Sequence, residues 1–193
     1  MLNTKQLKAK KIVITGGPST GKTSVIEQLE NDGFHCLHEV IRDMTSEEKA
    51  LGDEIGMASN PIVSVPDPKS FNLNILNARI NQYRSAQEST RDIVFFDRGI
   101  PDVLAYMDCF QQTYGPEFSE PCQTLRYDHI FIMPPWKEIH VMDSERFESF
   151  EESIKIHDCL TRSYANFSYD ITLVPKGSVK ERVRFILDHT NTL

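Results

Sequence analysis

Ile12-Val13-Ile14-Thr15-Gly16-Gly17-Pro18-Ser19-Thr20-Gly21-Lys22-Thr23 is a β-branched run, a glycine-rich turn and a lysine-threonine pair in immediate succession. The residues fit Gly, any four, Gly, Lys, Ser/Thr, and Ser24-Val25-Ile26-Glu27-Gln28-Leu29 continues them helically, so the stretch reads as buried strand, phosphate-binding loop and helix. Glycines let successive backbone N–H groups turn inward as an anion nest, and a helix starting near Gly21 adds the positive end of its dipole. The loop from Gly16, Gly17, Pro18, Ser19 and Thr20 through Gly21, Lys22, Thr23 and Ser24 is therefore expected to cradle the phosphates of a nucleotide. Lys22 is placed to reach the β- and γ-phosphates, and the Thr23 hydroxyl to ligate a bridging magnesium ion. ATP with Mg2+ is the expected ligand.

Composition narrows the classes around that loop. The chain has 193 residues and a formal charge of -7, enough for one domain over residues 1–193, without the basic footprint of a polynucleotide binder. Cys36, Cys109, Cys122 and Cys159 show no C-x-x-C spacing, which argues against a zinc site or a disulfide framework. Met1 to Lys11 carries lysines without an apolar core and reads as a solvated lead-in to the first strand, and no run is long enough to span a bilayer. The expectation is a soluble cytoplasmic protein with no nucleic-acid or membrane partner, a homodimer being left open.

Further along, Phe34 to His38 reads as a second strand that delivers Glu39 to its carboxyl end, where open α/β sheets bind ligands. Glu39 either faces the γ-phosphate or caps the following helix. Arg42 pairs with it, touches substrate or lies on the surface. Residues 52–69, rich in proline and without apolar period, form a mobile loop on the substrate side. Phe71 to Ser89 is helical, and Arg79 and Arg84 on it reach substrate or are solvated.

Ile93 to Asp97 is a buried strand ending in a carboxylate, the form of the second magnesium element of a P-loop protein, with capping of the next helix as the alternative. Arg98 follows where hydrolytic ATPases commonly place a glutamate, so hydrolysis is not the evident purpose. Pro101 starts a helix running from Asp102 to Gln112, and a shorter one spans Glu117 to Leu125. His129 to Met133 is the fourth strand. Trp136 lines a pocket mouth or packs in the core. Residues 134–150 read as a lid region, with Asp143 capping a long helix of Phe147, Phe150, Ile154, His157, Leu160 and Tyr164, and with Arg146 either folding over the triphosphate or lying on the surface. Asp170 to Val174 is the fifth strand. Pro175, Lys176 and Gly177 turn it into a last helix, boxed by Ser178 and Glu181, and this turn is either a purine site or a plain connection.

With these segments in place the chain resembles the P-loop nucleoside and nucleotide kinases. It looks most like a family of small AAA-type predicted ATPases related to the ribosylnicotinamide kinase half of bacterial NAD regulators. The likeness rests on the loop 16–23, on Phe96-Asp97-Arg98-Gly99-Ile100-Pro101-Asp102, on Tyr127-Asp128 through Pro134-Pro135-Trp136, and on Arg146 with the helix behind it. It implies a three-layer α/β/α P-loop NTPase fold, a five-stranded parallel sheet in the order 2-3-1-4-5 with a helical lid. It also implies that Glu39 serves as general base and that Asp97 and Arg98 bind magnesium and steady the phosphates, although Gly99 stands where that motif usually has serine. The resulting expectation is a small-molecule kinase for a nucleoside, nucleotide or related hydroxyl compound. Lys22, Arg98 and Arg146 would offset phosphoryl charge, Thr23 and Asp97 hold the metal, and Glu39 accept the proton. The alternative is an ATP-binding regulator or slow ATPase without an acceptor.

Overall fold

The computed structural model describes residues 9–41, 67–141 and 148–192. Strands β1 (Lys10–Gly16), β2 (His35–Leu37), β3 (Ile93–Asp97), β4 (His129–Met133) and β5 (Ile171–Leu173) form one sheet in the order β2-β3-β1-β4-β5. Every pairing is parallel, with Ile14 opposite Asp97 and Gly16 opposite Met133. The six helices of the described residues are α1 (Lys22–Asn31), α2 (Pro68–Gln87), α3 (Pro101–Cys109), α4 (Pro116–Thr124), α5 (Phe150–Asn166) and α6 (Val179–Thr190). The order 2-3-1-4-5 is the P-loop kinase arrangement that the resemblance implies.

Alternation along the central strands divides the core into two layers. Ile12, Ile14, Phe95 and Phe131 pack with Val25, Ile26 and Leu29 of α1 and Val183 and Ile186 of α6. Val13, Val94, Phe96, Ile130 and Ile132 pack on the other face with α2, α3, α4 and α5. A side-chain period of two sends neighbours to opposite faces, and helices on both sides let an all-parallel sheet be apolar throughout. Ile12, Val13 and Ile14 are wholly buried, each contributing about 1.5–3 kcal/mol.

The helix boundaries follow local chemistry and move several expectations. Helix α2 starts at Pro68 because Asp67 accepts the Ser70 N–H at 3.1 Å and proline suits a first turn, so residues 67–69 belong to this helix start and not to the loop. The rest of that loop, residues 52–66, lies outside the described residues. Helix α5 begins at Phe150 because Ser149 and Glu152 form a capping box; the expected cap, Asp143, lies outside the described residues. Its apolar stripe is turned accordingly, with Ile156 and Cys159 buried while Ile154 is exposed and His157 half-buried. Helix α6 has the expected box of Ser178 and Glu181. The basic lead-in also ends sooner than the sequence suggests. Lys11 is buried in β1, its ammonium 3.3 Å from Asp128 and 5.5 Å from the Tyr83 ring centroid. Among the described residues no helix is long and apolar enough to cross a membrane.

Candidate active site

At the carboxyl end of β1 the chain must turn sharply between β4 and α5. A Cβ on Gly16 would lie 2.6 Å from the Met133 carbonyl and one on Gly17 3.0 Å from the Ser153 carbonyl, so only glycine fits the first turn without displacement. Ser19 and Gly21 take left-handed φ values of 55° and 79°. The Thr20 hydroxyl donates to the Gly17 carbonyl at 2.9 Å and closes the loop, and the Ser19 hydroxyl donates to the Val141 carbonyl at 2.7 Å. Helix α1 then starts at Lys22 with no side-chain cap on its first amides. Uncapped amides at a helix start, with the dipole behind them, favour an anion.

Lys22 lies across this loop, donating to the Gly16 carbonyl at 2.9 Å and the Gly17 carbonyl at 2.8 Å. Burial, helped by the Arg98 charge, pulls its pKa down to about 7 against the pull of Asp97, Glu39 and Asp102. Thr23 is half-buried in the first turn of α1, Ser24 is exposed beside it, and Pro18 is half-buried in the loop.

Beside the loop, three strand ends and helix α2 bring opposite charges together. Glu39, after β2, is 9 % exposed and receives Arg79 Nη2 on Oε1 at 2.9 Å and Arg98 Nε on Oε2. Arg79 also donates to the Gly99 carbonyl at 2.9 Å. Arg98 has a φ of 74°, a conformation strained for a non-glycine residue, and is held there by its N–H to the Ile14 carbonyl at 3.1 Å and its guanidinium to the Gly16 carbonyl at 3.2 Å. Asp97, 6 % exposed, ends β3 directly opposite Ile14. Burial works against the charges on Arg79 and Arg98, but Glu39 and Asp102 outweigh it for Arg79, and Tyr106 with Glu39, Asp102 and Asp97 outweighs it for Arg98, so both stay above their ordinary value.

Glu39, Asp97, Arg98, Arg79 and Lys22 thus converge, whereas Arg84 does not. It lies five residues beyond Arg79, roughly 140° round the helix, and is exposed on α2. Arg42 and Arg146 lie outside the described residues. Pro175 and Lys176 are exposed and Gly177 half-buried in the turn between β5 and α6.

Two groups of residues went unread in the sequence. Asp102, fully buried in the first turn of α3, accepts the Thr15 hydroxyl and the Tyr164 hydroxyl at 2.5 Å each, the Gly99 N–H at 3.0 Å and Arg98 Nη1 at 3.3 Å. Burial would raise its carboxyl, but Arg79, Arg98 and the two hydroxyls outweigh that and hold it below the usual carboxylate value. The available signal was the spacing of Arg98 and Asp102, four residues apart across a helix start. Arg182 of α6 donates to the Thr20 carbonyl at 3.0 Å and lies 5.7 Å from the Trp136 ring centroid; no local pattern marks it.

Thr23 and Asp97 offer the hard oxygen donors that magnesium prefers. Among the described residues no group of three or more His, Cys, Asp or Glu could by itself hold a metal, and magnesium beside phosphates commonly needs only one or two protein ligands.

Residues 11–182 match the model of a family described as AAA domain. No curated protein sequence matches the chain. Among solved structures, it is similar to deoxyadenosine kinase from M. mycoides with products dCMP and a flexible dCDP, at 16 % identity and a TM-score of 0.63 over 95 % of this chain and 100 % of that one. Thymidylate kinase from Candida albicans gives 14 % identity and a TM-score of 0.67 over 96 % and 92 %. NadR in complex with NAD and AMP-PNP gives 18 % identity and a TM-score of 0.64 over 97 % of this chain and 50 % of that one, so the chain spans about half the NadR length. At these identities the likeness shows the fold.

Proposed function

Since the chain belongs to the AAA domain family, we propose that it is a magnesium- and ATP-dependent phosphotransferase acting on a hydroxyl of a nucleoside, nucleotide or related small molecule. The observation that carries the reading is the convergence of Lys22, Glu39, Asp97 and Arg98 at the carboxyl ends of β1, β2 and β3. The kinase names of the similar structures point the same way.

In this reading the backbone N–H groups of Gly17 and of Ser19 to Ser24 hold the phosphate chain, and Lys22 exchanges the carbonyls of Gly16 and Gly17 for phosphate oxygens. The Thr23 hydroxyl and the Asp97 carboxylate would hold magnesium, which would supply charge neutralisation to the phosphates. Arg98 is pinned beside the γ-position and offsets charge as it spreads over the transferring oxygens. The acceptor oxygen bonds to the γ-phosphorus as the bond to the β,γ-bridging oxygen breaks, ADP leaves, and the hydroxyl proton passes to Glu39. Two guanidiniums occupy part of the Glu39 carboxylate, but its two oxygens have about four acceptor sites, so a hydroxyl still finds one. Positioning and charge stabilisation carry most of the rate of a loose phosphoryl transfer, with the base adding its share. Arg146 completes the proposal as a lid residue, and the turn 175–177 as the wall beside the base. The four cysteines are free, which suits a reducing cytoplasmic setting.

Labelled ATP, magnesium and a panel of nucleosides and nucleotides test the proposal. Label should pass to at least one acceptor, and Glu39→Gln should reduce that transfer by about 10²–10⁴-fold. Release of free phosphate at a rate no acceptor changes would refute the kinase reading and favour a slow ATPase or nucleotide-binding regulator.

A further inference from the structure

Most buried cations of the described residues have a carboxylate close by. Lys11 has Asp128, Arg79 has Glu39, and Arg98 has Glu39 and Asp102. Arg182 differs. It is 5 % exposed, its Nη1 donates to the uncharged Thr20 carbonyl at 3.0 Å, and its nearest aromatic neighbour is Trp136, 5.7 Å from guanidinium to ring centroid. No carboxylate among the described residues pairs with it, and its Nε is buried without an acceptor among them. Burial lowers its pKa, with no facing carboxylate among the described residues to oppose the shift.

Its position makes this arrangement costlier. Gly21, the residue before α1, has its Cβ direction 2.8 Å from Arg182 Nη1, so the guanidinium stands against the positive end of the α1 dipole. A buried cation beside a helix N-terminus, without a carboxylate partner among the described residues, is unfavourable in the ligand-free protein. The same arrangement becomes favourable once an anion lies on the first turn of that helix, because the anion neutralises both.

We propose that Arg182 is a nucleotide-binding residue whose counter-charge is the phosphate chain of the bound nucleoside triphosphate, held on the α1 side of the loop while Lys22 and Arg98 serve the γ-side. The inference rests on the nucleotide reading of the loop and deepens it. Three features of the chain support the role. The capping box of Ser178 and Glu181 fixes the start of α6 and hence the guanidinium. The bond to the Thr20 carbonyl holds the loop next to Gly21 in its left-handed turn. Trp136 offers an aromatic face, which tolerates a desolvated guanidinium without neutralising it.

The test measures Mg-ATP affinity by calorimetry and the ligand-free melting temperature for the parent, R182M and R182K, with R184Q, an exposed change two residues along α6, as the control. R182M should bind Mg-ATP at least tenfold more weakly while melting within a few degrees of the parent without ligand, because it removes a buried charge that has no carboxylate partner among the described residues, together with one hydrogen bond. R182K should recover most of the affinity, since it restores the charge, and R184Q should match the parent. Adenosine, which lacks phosphate, should bind the parent and R182M alike. If R182M binds Mg-ATP as the parent does, or melts lower with unchanged affinity, Arg182 is a structural strut and the inference falls. An equal loss for adenosine and Mg-ATP would overturn it too, placing the residue against the nucleoside. Should R182M fail to fold, R182K binding no better than R182Q would overturn it. A parent that binds no Mg-ATP would instead overturn the nucleotide reading beneath it, so the two failures are distinct.

Discussion

Replacing Asp102 by asparagine keeps its shape and reverses one of its two hydrogen-bonding ends. All four partners of the carboxylate donate: the hydroxyls of Thr15 and Tyr164 at 2.5 Å, the Gly99 N–H at 3.0 Å and Arg98 Nη1 at 3.3 Å. An asparagine amide must present its NH2 either to Thr15 and Arg98 or to Tyr164 and Gly99. A hydroxyl can rotate to accept, but the guanidinium and the backbone N–H cannot. Hydrogen bonds to a charged group are each worth about 1.5–3 kcal/mol, and breaking a buried pair costs about 3–5 kcal/mol. Because Arg98 keeps Glu39 and the Gly16 carbonyl, D102N should destabilise the protein by about 3 kcal/mol, near the lower end of that range. Urea unfolding near neutral pH should show the midpoint falling with the slope unchanged. The sign of the pH dependence follows from the carboxyl lying below the ordinary aspartate value of 3.8: the stability it contributes is present above 3.8 and is lost as pH falls through the lower native value. The gap between parent and D102N should therefore stay constant down to about 3.8 and shrink below it. A loss within about 0.5 kcal/mol, or a gap that widens in acid, would refute the account of Asp102 as the anchor that holds Arg98.

Lys22→Met should weaken Mg-ATP binding by roughly ten- to a hundredfold, the equivalent of one charge-assisted hydrogen bond, as read by calorimetry. Gly21→Ala should lower the melting temperature, costing about 1–3 kcal/mol, because its φ of 79° and the approach of Arg182 to 2.8 Å both penalise a methyl group. Burial holds His157 below the ordinary histidine value of 6.5, against the pull of Asp158, so below that value the unfolded chain binds the extra proton and stability falls as pH drops. His157→Gln should flatten that part of a urea stability profile between neutral pH and pH 5.

The loop, the strands and most helix starts were legible along the chain because their causes are local. Glycine, the lysine-threonine pair and the β-branched run decide residues 12–23 among themselves, and Ser178 with Glu181 needs only its own turn. Strand ends were legible for the same reason, so Glu39 and Asp97 could be placed at strand ends as candidate site residues before any contact was known. Helix α5 starts later than the sequence suggests because Ser149 and Glu152, among several capping candidates along that stretch, form its box.

What the amino-acid order could not decide is which charges meet. Arg79 and Arg84 share one helix and one chemistry, yet packing buries the first against Glu39 and leaves the second in solvent. Asp102, Tyr164 and Thr15 come from three elements, and Arg182 reaches Thr20 across 162 positions of chain. Local sequence specifies backbone shape because the forces that shape it act over a few residues. The pairing of buried charges depends on distance in space and on exclusion of water, and only the assembled sheet and helices supply either.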